Sequence, residues 1–248
     1  MSRPDFSTPR LFVAADLAQG GSVELDAGQA NYLGAVLRLR DGDRVLAFNG
    51  RDGEFAGALK PQGRKRAALD ALAMTRPQAG GPDIDYLFAP LKHARLDYVA
   101  QKAVEMGARR LRPVMTRRTQ AARLNLERLR ANVIEAAEQC GVIAVPEVHE
   151  PQRLERALAE WPAGRLMVFC DEDAPSGDPL AALAGARAGE GLGVLIGPEG
   201  GFEPAEREAI LHLPFTLRLS LGPRILRADT AGVAALALVQ ASLGDWRR

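Results

Sequence analysis

A chain of 248 residues, 47% hydrophobic and 25% charged, can bury a core as one large domain or two modest ones without help from disulfides or metal. Its two cysteines, Cys140 and Cys170, are too few for a secreted disulfide framework and read as reduced thiols, and its three histidines follow no HExxH spacing, which argues against a zinc site. Basic and acidic residues nearly cancel at a net charge of +1, so overall charge names no partner; with no signal-peptide core and no membrane-length apolar run, we expect a cytoplasmic protein.

Residues 10–74 read as β-rich. Short runs at 11–14, 43–49, 53–59 and 66–74 are separated by turn-forming stretches at 41–42, 50–53 and 61–63. One helix interrupts them at 28–39, with Leu33, Val36 and Leu37 on one face. Together these predict a small β-barrel with an inserted helix. The run Arg-Pro-Gln-Ala-Gly-Gly-Pro at 76–82 breaks the composition and reads as a linker between domains at 1–75 and 83–248.

Beyond the linker, strands and helices alternate, the rhythm of an α/β domain with a mostly parallel sheet. Strands are predicted at 84–90, 111–115, 165–170, 193–196 and 215–220. Helices are predicted at 94–106, with Leu96, Val99, Ala103 and Met106 on its apolar stripe and Gly107 as its stop, at 126–139 before Gly141, and at about 230–243.

Charge is unevenly spread. Arginines and lysines crowd residues 38–66 and again 109–130. Such runs fit solvated faces as well as a phosphate track, but two arginine-rich clusters in a nearly neutral chain favour a polyanionic partner.

Two glycine-bearing segments carry the strongest functional signal. In Gly-Val-Leu-Ile-Gly-Pro-Glu-Gly-Gly-Phe (193–202), a buried strand end turns at Gly197-Pro198, Gly200 and Gly201 leave backbone bare, and Pro204 with Glu206 opens a helix. In Leu-Ser-Leu-Gly-Pro-Arg-Ile-Leu-Arg-Ala-Asp-Thr-Ala (219–231), a strand end turns at Gly222-Pro223, Arg224 and Arg227 come next, and Asp229 or Thr230 reads as a helix cap. The carboxyl edge of a parallel sheet is where α/β proteins place ligands, and guanidinium groups there suit a phosphate or an anionic base. Neither the P-loop nor the dinucleotide fingerprint is present.

With the stretches at 91–108 and 135–148, the opening Pro9-Arg10-Leu11-Phe12 and the Asn-Tyr-Leu-Gly-Ala-Val-Leu-Arg-Leu-Arg run at 31–40, these segments make the chain resemble the ribosomal RNA small subunit methyltransferase E family of the SPOUT superfamily over nearly its whole length. The resemblance implies an N-terminal barrel similar to RNA-binding PUA domains and a C-terminal α/β domain with a deep trefoil knot. It also implies S-adenosylmethionine as methyl donor, N3 of a uridine in 16S rRNA as acceptor, and a homodimer. Three departures stand out: Tyr32 where the family commonly has His, Val142 where it has Arg, and Ala228-Asp229 where it has Thr-Glu.

We expect Ile196, Gly197, Glu199, Gly200, Leu219, Leu221, Gly222, Ile225 and Leu226 to form the cofactor pocket. Arg227, with Arg224 second, would stabilise charge on the uracil oxygens as N3 loses its proton. Glu199 and Asp229 are candidate proton acceptors, although a carboxylate of ordinary pKa near ~4 needs desolvation or a bridging water for that role. Arg10, Arg38, Arg40 and Lys65 are the expected phosphate contacts, on an assembled small subunit or large RNA. Two alternatives stay open from sequence: a SPOUT enzyme acting on another RNA such as tRNA, and a non-catalytic RNA-binding ribosome-assembly factor.

Overall fold

The computed structural model describes residues 7–63, 66–120, 123–175 and 177–247. Two compact units emerge, one comprising Met1–Gly80 with Ile134–Val145 and the other Gly81–Val133 with Pro146–Arg248. The break after Gly80 lies within the stretch 76–82, Arg76 still belongs to a strand, and a later segment of the chain, 134–145, joins the first unit. Neither cysteine is in a disulfide, and among the described residues no helix is long and apolar enough to cross a membrane.

The first unit contains β1 (Arg10–Phe12), β2 (Val23–Leu25), α1 (Ala27–Asn31), β3 (Arg44–Phe48), β4 (Glu54–Pro61) and β5 (Ala67–Arg76). The expected small barrel is realised as an open sheet in the order β1-β3-β4-β5-β2, antiparallel except for β1 beside β3. Alternating side chains such as Val45, Ala47, Phe55, Leu59 and Leu69 make its core, against which Leu33 is fully buried.

The helix expected at 28–39 is shorter and changes character. Asp26 caps α1 in a reciprocal capping box with Gln29, and the next turn, Tyr32–Val36, is a π-helix in which Leu37 N–H donates to the Tyr32 carbonyl at 2.9 Å. The wider turn rotates the succeeding residues off the 3.6-residue stripe. Val36, expected on the buried face, is 61% exposed, while Leu37 still packs against the core. Arg38 then takes a left-handed backbone, φ 58°.

At one end of this sheet, the buried Glu54 carboxylate collects Arg10 Nε at 3.0 Å, Arg76 Nη2 at 2.6 Å and Thr75 Oγ1 at 2.8 Å, tying β1, β4 and β5 together. Burial pushes the Glu54 carboxyl up, but hydrogen bonds from Arg76, Thr75 and Arg10 outweigh it and hold the group below its ordinary value.

The second unit contains β6 (Ile84–Phe88), α2 (His93–Glu105), β7 (Arg110–Met115), β8 (Glu147–Val148), β9 (Gln152–Arg153), α4 (Leu154–Ala159), β10 (Leu166–Cys170), α5 (Pro179–Ala184), β11 (Leu192–Ile196), α6 (Pro204–Leu211), β12 (Thr216–Leu219) and α7 (Ala228–Leu243). Helix α3 (Leu126–Cys140) runs out of this unit and into the first. The sheet order is β12-β10-β11-β6-β7-β8, parallel throughout, with β9 also pairing β7. Its central strands are apolar on both faces because helices cover both. Helix α7 packs against α2, α5 and β11, and α4 against α6 and β7. Parallel pairing places the ends of β12, β10, β11 and β6 along one edge, which gathers the two glycine segments.

Candidate active site

The segment after β11 folds as a tight turn into α6. Gly197 leaves no room for a side chain: a Cβ there would lie 2.5 Å from the Phe202 ring, which packs edge-on against Phe169 with centroids 5.4 Å apart. Helix α6 opens with a capping box in which Glu206 accepts the Glu203 N–H at 2.9 Å. The segment after β7 braces the same turn. Arg118 donates from Nη1 to the Gly200 carbonyl at 2.8 Å and from Nε to Glu203 at 2.7 Å, and Arg117 N–H donates to Glu206 at 2.8 Å.

The segment after β12 leaves its backbone open. Gly222 has φ 97°, a conformation costly for any residue with a Cβ, and no atom lies within 4 Å of where that Cβ would stand. Arg227 occupies the N-cap of α7, so the expected cap at Asp229 or Thr230 is corrected: both lie inside the first turn, where Asp229 accepts the Thr230 N–H at 2.8 Å. Helix position is set by where the extended backbone ends, which is Arg227 with ψ 151°.

Between these turns, at the end of β10, the buried Asp171 binds Arg207 at 2.9 Å and Arg218 at 2.8 Å. Burial alone would raise its carboxyl; the two guanidiniums outweigh that and hold it below the ordinary range. Tyr86, on β6, stacks on Phe88 at 5.2 Å, and burial raises its phenol far above the usual value, so it stays protonated.

The expected residues fall into three groups. Ile196 and Leu219 are buried strand ends; Gly197, Leu221, Leu226 and Asp229 are half-buried; Glu199, Gly200, Gly222, Arg224 and Arg227 are exposed, and Ile225 is 95% exposed in the isolated chain. Glu199 and Asp229, thirty residues apart in sequence, are brought together by a residue that the sequence motifs did not single out. Arg95, in the first turn of α2, forms an ion pair with Glu199, and its Nε lies 4.0 Å from Asp229 Oδ2. Arg118 was missed as well. Arg95 is a lone arginine on a polar stretch, and Arg118 sits beside Arg117 in the arginine-rich run 109–130; both patterns look like ordinary solvated faces.

In the first unit, Arg38 and Arg40 are exposed and suited to meet phosphate. Arg10 is not: it is 7% exposed with its guanidinium engaged by Glu54, so it is corrected from an expected phosphate contact to a structural ion pair. Lys65 lies outside the described residues.

The RNA methyltransferase domain family matches residues 80–240, and the RNA methyltransferase PUA domain family matches residues 25–71. The ribosomal RNA small subunit methyltransferase E of Synechocystis is 30% identical, over 94% of this chain and 78% of its own length. That of Rickettsia conorii is 28% identical, over 93% and 94%. The crystal structure of a ribosomal RNA small subunit methyltransferase E from Neisseria gonorrhoeae bound to S-adenosyl methionine is similar with a TM-score of 0.84 at 27% identity, covering 96% of this chain and 99% of that one. An α/β unit with open turns along the carboxyl edge of its sheet, a smaller β unit ahead of it in sequence, and likeness along the whole length lead to one conclusion: this chain belongs to the ribosomal RNA small subunit methyltransferase E family.

Proposed function

We propose that this protein transfers the methyl group of S-adenosylmethionine to N3 of a uridine in the 16S rRNA of the small ribosomal subunit. The observation that carries this reading is the pair of turns after β11 and β12, one on each side of the end of β10, in a chain similar from end to end to a relative bound to that donor. The residues fit such a molecule. Gly222 presents bare backbone, and Ile196, Leu219, Leu221 and Leu226 supply apolar walls.

When bound, the donor supplies an electrophilic methyl on a sulfonium. The chain's own task is to hold it in line with the acceptor, and positioning of two reactants can account for roughly 7–11 kcal/mol of barrier in the best cases. Arg227, exposed at the head of α7 with Arg224 three residues before it, faces the developing negative charge on the uracil oxygens. The N3 proton passes to solvent. Both nearby carboxylates, Glu199 and Asp229, have Arg95 as a partner, so we assign them to holding the site together rather than to taking that proton.

Arg38 and Arg40 in the first unit bind the RNA backbone without reading its sequence. The knot is part of this reading, supported by family membership and by α7 packing against α2, α5 and β11, all of which precede the strand that feeds it. So is a homodimer: Ile225, Tyr98 and Trp246 leave apolar surface in solvent that a second copy would cover. We place the protein in the cytoplasm, with its RNA.

Radiolabelled methyl transfer to small subunits from a strain lacking this enzyme tests the reading. Label should appear as 3-methyluridine by mass spectrometry, with short oligonucleotides as poor acceptors; label in tRNA or in another nucleoside, or none at all, would overturn it.

A further inference from the structure

Arg95 touches both halves of the candidate site. It stands in the first turn of α2, pairs with Glu199 on the turn after β11, and approaches Asp229 on the first turn of α7. Asp229 is two residues beyond Arg227, the group assigned to the acceptor. Two other carboxylates along this edge have other cations, Glu203 with Arg118 and Asp171 with Arg207 and Arg218. Arg95 is thus the cation that Glu199 and Asp229 share, and removing it takes an attractive partner from both carboxylates at once.

We propose that Arg95 is a positioning residue that ties the turn after β11 to the head of α7, setting the distance between the donor-binding backbone and Arg227. This rests on the donor occupying those turns. The physical argument is one of leverage. The pair is partly exposed, with side chains 39% and 43% accessible, so it adds little to global stability. Arg118 braces the turn after β11 against the segment after β7, but it is Arg95 that links that turn to the head of α7, so its loss is felt locally. A turn and a helix head that drift by about an ångström lose alignment that the reaction requires.

The test compares wild type, Arg95→Met, Arg95→Lys, Glu199→Gln and the double Arg95→Met/Glu199→Gln variant. Calorimetric titration with S-adenosylmethionine reads the turn, and single-turnover methyl transfer to small-subunit RNA reads the alignment. Arg95→Met should weaken donor binding about tenfold, within the couplings typical of one ion-pair network. It should also lower kcat while leaving KM for RNA unchanged, because Arg95 acts through its partners. Arg95→Lys should recover most of both losses. The double variant should be no worse than Arg95→Met alone, with melting temperatures close to wild type throughout. Wild-type affinity and turnover in Arg95→Met, or losses that add in the double variant, overturn the inference. Wild type that fails to bind the donor brings down the functional reading itself, a result distinguishable from the other two.

Discussion

Arg227 is in one sense an unexpected N-cap. The residues favoured there accept hydrogen bonds through a short side chain, and an arginine has none to offer; its side chain makes no capping bond and remains exposed. The guanidinium of Arg227 is therefore not spent on the helix start. Replacing it by alanine should slow single-turnover methyl transfer by roughly 10²–10³, the cost of losing one donor to a developing oxyanion, with donor affinity by calorimetry retained. An equal loss in both measurements would instead make Arg227 part of the cofactor wall. The proposal for Arg227 could be made from sequence because Arg227 belongs to a dense local motif. That for Arg95 could not, because its significance depends on residues 104 and 134 positions away.

At the scale of elements, the Glu54 cluster joins three strands through one carboxylate. Its native pKa is depressed, so as pH falls the unfolded chain takes up the proton first. The stabilisation is therefore complete above the ordinary carboxylate value of 4.5 and is lost as pH drops through the lower native one. Glu54→Gln should reduce stability at neutral pH by about 3–5 kcal/mol, since it leaves the buried Arg10 without its counter-ion. The same substitution should flatten the acid limb of the stability curve, measured by denaturant unfolding at stepped pH. Which elements sequence could show depends on length and burial. β10 and β11 are continuous apolar runs because both sheet faces are covered, β6 is apolar except for the buried, ion-paired Asp85, and α2 and α3 are long enough to display a stripe and stop at glycines. By contrast, β2, β8 and β9 are two or three residues long, and α4 and α5 six, too short for any period to emerge. The π-turn was hidden for a different reason: its sequence is a good α-helical one, and only the backbone bonds reveal the extra residue per turn.

For the whole molecule, affinity for RNA should depend on salt through groups such as Arg38 and Arg40, each phosphate contact contributing about one to the slope of log affinity against log salt. A β-rich first part and an α/β second part were visible from composition and rhythm, whereas the assignment of residues 134–145 to the first unit was not, because one helix, α3, serves both. Arg38 gives this unit an unusual property. A left-handed backbone costs an arginine roughly 1–2 kcal/mol that a glycine would escape, although glycine gives back part of it as freedom in the unfolded chain. Arg38→Gly should therefore hold or raise the melting temperature while weakening RNA binding and shallowing its salt dependence. Durability and grip would then move in opposite directions on a single substitution.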